Sequence, residues 1–379
     1  MTIFFNKPCI IGNELEYIKQ AVQSEKISGD GMFTKKCHQF FEARYGFKKT
    51  LLTTSCTDAL EMSAILCDIQ TGDEVIAPSY TFVSTVNAFV LRGAKIIFVD
   101  SKVDSPNIDE NAIEPLITSK TKAIVLVHYA GISCDMDKII SIAKKHNLLI
   151  IEDAAQAIES FYKNRPLGSL GDFGTFSFHE TKNIISGEGG LLTINNERFI
   201  KRAEIIREKG TNRSAFFRGE VDKYGWIDIG SSFLPSDIIA AYLFAQLEHL
   251  ETIQSKRIAL WKRYYQNLLE LQKKELLILP VIPEYATNNG HLFYVLCKSL
   301  EERSSLIEYL KQNEINAVFH YLSLHKSEFY KNKHDGRELP NSDKFSDTLL
   351  RLPMYYELSI EKVDFICETI IKWSEKLKS

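Results

Sequence analysis

The chain has 379 residues, with 46 Lys and Arg against 49 Asp and Glu, a formal net charge of −3 and 45% hydrophobic residues. That length suggests two domains, and the ordinary apolar and charged content excludes a largely disordered chain or a coiled coil. The near-neutral balance gives no general attraction to nucleic acid or to an acidic membrane surface. The longest apolar runs, such as 123–127 and 148–151, are far shorter than the ~20 residues a bilayer span needs. No basic region precedes the short apolar stretch near the N-terminus, so no signal peptide is expected. Seven cysteines, at positions 9, 37, 56, 67, 134, 297 and 367, form no Cys-x-x-Cys pair, which suits reduced thiols in a cytoplasmic protein. Nine histidines include no His-Glu-x-x-His pattern, and no metal site is expected.

In chain order, 13–24 and 34–45 have amphipathic helical spacing and are joined by the turn-rich Ser28-Gly29-Asp30-Gly31. Residues 50–54 predict a short strand, followed by a polar turn and a helix from about 57 to 67. A strand at 74–77, a helix at 82–92 and a strand at 95–100 follow. The apolar run 122–128 has strand length, 136–146 has helical spacing, and 148–151 is a strand running into Glu152-Asp153. Short Ile- and Val-rich runs alternating with helices predict parallel strands with crossover helices, an α/β fold. After Asp153 the rhythm changes. Residues 173–178 and 190–194 predict strands joined around Gly187, as antiparallel additions to the same sheet. A long helix is expected over 235–271, then strands at 293–298 and 317–320 and helices at 304–313 and 360–376. The expected division is a large domain, 1–250, and a smaller α+β domain, 251–379.

Ligands of open parallel sheets bind outside the carboxyl ends of the strands, and four polar clusters stand at such ends. Ser55-Cys56-Thr57 opens a helix rich in small residues, where N–H groups and hydroxyls make an anion pocket. Alone, these residues read at least as well as helix caps. Asp153 ends an apolar strand with Gln156 three residues on. A carboxylate there suits a positive charge in a dry cleft, or an N-cap. Lys182 follows Phe176-Ser177-Phe178 and precedes the glycine-rich Gly187-Glu188-Gly189-Gly190. A lysine forms Schiff bases when burial lowers its pKa, although most lysines are surface residues. Phe82, in Pro78-Ser79-Tyr80-Thr81-Phe82, offers a ring to stack on a planar ligand, or a core side chain. Together the four clusters describe one ligand with an anionic handle, a flat cationic ring and an aldehyde. Pyridoxal 5′-phosphate has those features.

The motifs Glu152-Asp153-Ala154-Ala155-Gln156 and Ser177-Phe178-His179-x-x-Lys182-Asn183 carry a resemblance. The chain resembles the sugar aminotransferases of the DegT/DnrJ/StrS family, fold type I pyridoxal-phosphate enzymes, over nearly its whole length. The resemblance implies a large, mostly parallel seven-stranded sheet and a smaller C-terminal α+β domain. It implies Lys182 as the Schiff-base lysine and catalytic base, Asp153 as partner of the ring nitrogen and Gln156 as partner of the ring hydroxyl. Ser55, Ser177 and the N–H groups near Cys56 and Thr57 would hold the phosphate, and Phe82 would stack on the ring. A homodimer with shared active sites is also implied.

The stretches 78–90, 207–213 and 318–325 look like family members that take an amino group from L-glutamate to carbon 4 of dTDP-4-keto-6-deoxy-D-glucose. Those members give the galacto product used for enterobacterial common antigen. His320, Tyr321 and His325 are substrate candidates on the same ground, or ordinary loop polars. Arg213 and Arg218, in a basic and aromatic stretch, suit a nucleotide diphosphate, or a solvated loop. The gluco-configured product and amination at carbon 3 are the rival reactions. A dehydratase of this fold, usually with His in place of Lys182, and a cofactor-binding regulator with a DNA-binding extension fit less well. Two positions depart from the family pattern. Cys56 stands where glycine is common, and Gly230-Ser231-Ser232-Phe233 lacks the asparagine that a neighbouring subunit often supplies.

Overall fold

The apolar runs read as strands fill the middle of a single sheet in the computed structural model, which describes residues 2–376. After helices α1 (Glu14–Gln23) and α2 (Met32–Tyr45), strand β1 (Lys49–Thr53) leads into α3 (Cys56–Leu66). Then follow β2 (Glu74–Pro78), α4 (Ser84–Val90), β3 (Lys95–Val99), β4 (Thr121–Val127), α5 (Met136–His146) and β5 (Leu149–Asp153). A two-stranded hairpin, β6 (Phe161–Tyr162) and β7 (Arg165–Pro166), precedes β8 (Phe173–Ser177) and β9 (Gly190–Ile194). The sheet has seven strands in the order β1-β9-β8-β5-β4-β2-β3.

Both faces of the sheet are covered, so its strands alternate between two apolar clusters rather than between core and water. Ile124 and Leu126 of β4 enter one cluster with residues of α2 and α5, and Ala123 and Val125 enter the other with residues of α3 and α4. Local signals set the helix ends. Asp135 caps α5, and Asn147 closes it in the left-handed region at φ 54°, turning the chain back into β5. β8 runs parallel to β5, so β9 is antiparallel to both its neighbours, β1 and β8. The expectation of two antiparallel additions is thus corrected. Glu152 explains the return, because its carboxylate accepts N–H bonds from Gly168, Leu170 and Gly171 at 2.8, 2.7 and 2.6 Å. It thereby folds the incoming loop back to the starting end of β5.

Beyond the sheet come α6 (Ile200–Arg207), the short α7 (Arg213–Phe217), α8 (Asp237–Glu248) and α9 (Leu250–Lys273). The single helix expected over 235–271 is broken at His249, whose φ of −109° is not helical. α8 packs on α1 and α2, whereas Leu260, Trp261 and Tyr264 of α9 enter a separate apolar cluster. The rest of that cluster comes from β10 (Phe293–Leu296), α10 (Leu300–Gln312), β11 (Leu349–Leu352) and α12 (Ile360–Lys376). α11 (Pro340–Thr348) runs directly into β11, which pairs antiparallel with β10. The strand expected at 317–320 is reduced to one bridge between Val318 and Arg351.

The N-terminus joins this later-made part of the molecule. Ile3 is buried in its cluster and forms a parallel bridge with Ile315, and Met354 N–H donates to the Phe5 carbonyl at 3.1 Å. Among the described residues no helix is long and apolar enough to cross a membrane.

Candidate active site

The carboxyl ends of β1, β2, β5 and β8 open on a cavity of about 650 Å³. Ser55, Cys56, Thr57, Phe82, Asp153, Gln156, Ser177, Lys182, His320 and Tyr321 all line it. The first eight, far apart in sequence, meet there because they follow strands of one sheet, and His320 and Tyr321 reach the cavity from the later part of the chain.

Asp153 is 6% exposed and ends β5. Thr85 donates its hydroxyl to the carboxylate at 2.7 Å, and the Ala155 N–H donates at 3.1 Å. Burial is the leading influence and raises its pKa above the ordinary carboxylate value, partly offset by the Thr85 hydroxyl. A buried carboxylate with neutral donors favours a cationic guest. Lys182 is partly buried, and burial lowers its amine's pKa, opposed by the Asp153 carboxylate. Gln156 is fixed at both ends. The Ala130 N–H donates to its Oε1 at 2.6 Å, and its Nε2 donates to the Tyr321 hydroxyl at 3.1 Å.

The turn at 55–57 combines both readings of its residues. Ser55 caps α3, its Oγ accepting the Asp58 N–H at 3.0 Å. The N–H groups of Cys56 and Thr57, in the first turn, have no acceptor within the helix. Thr57 donates its hydroxyl to Ser84 at 2.9 Å. Gly190 backs this turn so closely that a Cβ there would stand 2.3 Å from the Ser55 carbonyl carbon and 2.5 Å from the Cys56 nitrogen. Burial pushes the Cys56 thiol's pKa up, so it stays a thiol and adds no negative charge. A helix start rich in N–H groups, a buried carboxylate and a depressed amine on one cavity fit pyridoxal phosphate.

Phe82 is 55% exposed on the cavity wall, 6.1 Å from the Tyr321 ring. His320 stacks on Tyr321 at 3.5 Å and pairs through Nδ1 with the Tyr129 hydroxyl at 2.7 Å. Three substrate candidates lie elsewhere. His325 is buried outside the cavity, its Nδ1 2.8 Å from the Ser79 Oγ. Arg213 lies over the Phe217 ring on the surface, and Arg218 pairs with Glu204 and Glu220 at 2.9 and 2.7 Å. Within this chain neither arginine lines the cavity.

His325 acts instead as a latch. Its contact with Ser79, and the Leu324 N–H donated to the Ser79 carbonyl at 3.0 Å, tie the segment carrying His320 and Tyr321 to the end of β2. Ser79→Ala and His325→Gln are each expected to lower unfolding free energy by about 1–2 kcal/mol. A urea titration of the double variant should give less than their sum, and strict additivity would show that the bond contributes nothing.

Sequence reasoning missed Thr85, His291 and Arg351. Thr85 lies four residues past Thr81, with the hydroxyls 2.8 Å apart, and that spacing was the one signal that could have found it. His291, whose Nδ1 pairs with Asn183 at 2.9 Å, and Arg351 reach the cavity from the later part of the chain and carry no local signal.

The chain belongs to the DegT/DnrJ/EryC1/StrS aminotransferase family, which it matches over residues 8–371, and is a pyridoxal-phosphate-dependent sugar aminotransferase. It is 33% identical over 374 residues to the uncharacterized protein MJ1066 of Methanocaldococcus jannaschii, covering 97% of this chain and 96% of that one. It is 31% identical to the spore coat polysaccharide biosynthesis protein SpsC of Bacillus subtilis, covering 97% and 95%. Among solved structures it is similar to the putative sugar aminotransferase Spr1654 of Streptococcus pneumoniae, whose structures include PLP and PMP forms. That likeness has a TM-score of 0.91 at 28% identity and covers 99% of both chains.

Proposed function

We propose that this enzyme moves an amino group from L-glutamate to carbon 4 of dTDP-4-keto-6-deoxy-D-glucose, giving dTDP-4-amino-4,6-dideoxy-D-galactose for a surface polysaccharide. The observation that carries the chemistry is the meeting of the Lys182 amine and the Asp153 carboxylate on one cavity at the ends of β8 and β5. The substrate rests on the resemblance of 78–90, 207–213 and 318–325 to enzymes of that specificity, and the name of SpsC supports a polysaccharide product. The work is cytoplasmic, where nucleotide sugars are made, and needs neither nucleic acid nor membrane. Residues 1–250 hold the cofactor and 251–379 form a second domain that closes the cleft. Two copies share their active sites, which accounts for the exposed Phe217, Tyr224, Trp226 and Ile227, the tryptophan being 83% exposed.

When bound, pyridoxal phosphate supplies an aldehyde that links to amines and a protonated ring that draws off carbanion charge. Ser55, Ser177 and the N–H groups of Cys56 and Thr57 would hold its phosphate, Phe82 would stack on the ring, and Gln156 would bond the ring hydroxyl. Asp153 keeps the proton on the ring nitrogen. Lys182 Nζ, its basicity tempered by burial, takes the proton from the donor's α-carbon and later carries one to the sugar carbon. Thr85 and Ala155 keep the Asp153 carboxylate in place throughout.

Incubation with dTDP-4-keto-6-deoxy-D-glucose and L-glutamate tests the proposal. A small H3–H4 coupling in the proton NMR spectrum of the amino sugar is expected, because the galacto product carries an axial amine. A large coupling would assign the gluco product, and amination at carbon 3 or no turnover would refute the substrate.

A further inference from the structure

Four charged side chains line the cavity: Asp153, Lys182, Glu188 and Arg351. The first two serve the reaction, and Glu188 faces His179 at 3.7 Å. Arg351 stands apart. It projects from β11 over the Phe5 ring, 4.8 Å from its centre, and donates one Nη2 bond to the Phe319 carbonyl at 3.0 Å. Its Nε is buried with no hydrogen-bond partner, and no acidic side chain pairs with it among the described residues. The groups that act on its charge most, after burial itself, are the hydroxyls of Tyr129, Tyr321 and Tyr80, all neutral at ordinary pH. Burial keeps His291 and His320 neutral, so they add no competing cation. A half-buried guanidinium with an unpaired, buried Nε and no counter-ion is a poor structural element, and the arrangement makes sense when a ligand brings the anion.

We propose that Arg351 binds a carboxylate of the amino donor and thereby separates the donor half of the reaction from the sugar half. This rests on the aminotransferase reading above. Arg351 and Lys182 line the same cavity, so a ligand held by the guanidinium lies in the space where the amine reacts. In an amino acid a carboxylate is attached to the carbon that bears the reacting amine. In a nucleotide sugar the diphosphate is attached across the ring from carbon 4, and the groups beside that carbon are neutral. The planar fork of an arginine also matches a carboxylate in two parallel hydrogen bonds.

The test uses holoenzyme, wild type and the variants Arg351→Gln and Arg351→Lys. Calorimetric titration with glutarate, a dicarboxylate without an amine, reads binding alone. Bleaching of cofactor absorbance by L-glutamate, and by dTDP-4-amino-4,6-dideoxy-D-galactose in the reverse direction, reads each half-reaction. Arg351→Gln should weaken glutarate binding and raise the glutamate requirement ~10–100-fold, with the amino-sugar half-reaction changed less than about threefold. Arg351→Lys should fall between, and it decides the matter if the glutamine variant does not fold. Equal losses in both half-reactions, or glutarate binding that ignores the substitution, would overturn the assignment. Wild-type enzyme that binds glutarate through Arg351 yet is not bleached by glutamate would support the anion site and refute the reaction assigned to it.

Discussion

Lys182→Ala is expected to lose transamination by ~10³-fold or more while still retaining cofactor, because a proton-transfer residue contributes up to ~10⁴-fold and the proposed role of Lys182 includes the covalent link as well. The variant keeps the other contacts assigned to the cofactor, from the turn at 55–57, Asp153, Gln156 and Ser177. The cofactor should therefore leave on dialysis or gel filtration faster than from the wild type, and borohydride should fix none of it to the protein. In the wild type, borohydride followed by peptide mapping should mark Lys182. A label on any other lysine, or a variant that turns over normally, would remove Lys182 from its role.

Asp153→Asn should cost ~10²–10³-fold in activity, the range seen when one charge-stabilising group is removed from a preorganised site. A neutral amide does not hold the ring proton. The same substitution should act in the opposite sense on the cofactor-free protein. Burial raises the folded-state pKa of Asp153 above the ordinary aspartate value of 3.8, so the ionised carboxylate destabilises the fold at neutral pH. For an acid with a raised folded pKa, that penalty is complete above the folded value and absent below the unfolded one. Cofactor-free Asp153→Asn is thus expected to unfold at higher urea than wild type at pH 7, with the gap closing as pH falls toward 3.8. A wild type that is more stable than the variant at pH 7 would show that Thr85 and Ala155 fully compensate the buried charge.

The parts of this site that follow strands of the sheet were legible in the sequence. Asp153 and Lys182 stand where an apolar run ends, and a parallel sheet collects all such ends on one side. The direction of β8 was not legible, because it depends on three N–H bonds to Glu152 from a loop 16 to 19 residues away. The break at His249 was hidden for a related reason. Both halves of the 235–271 stretch have helical spacing, and only the separate clusters they pack into make the chain turn. His325 looked like a neighbour of His320 and Tyr321 in function because it is their neighbour in sequence. The segment instead spans from the cavity wall to the buried Ser79, so its two histidines face different surroundings.

Phe5 and Asn6 form one wall of the cavity and Arg351 and Met354 another, with the Phe5 carbonyl fastened to Met354. Phe5 and Asn6 therefore wait for the segment 351–354, far later in the chain, before the pocket has all its sides. Whatever the sheet achieves earlier in synthesis, vitamin B6 meets a finished pocket only once residues 351–354 have been made and have folded against it.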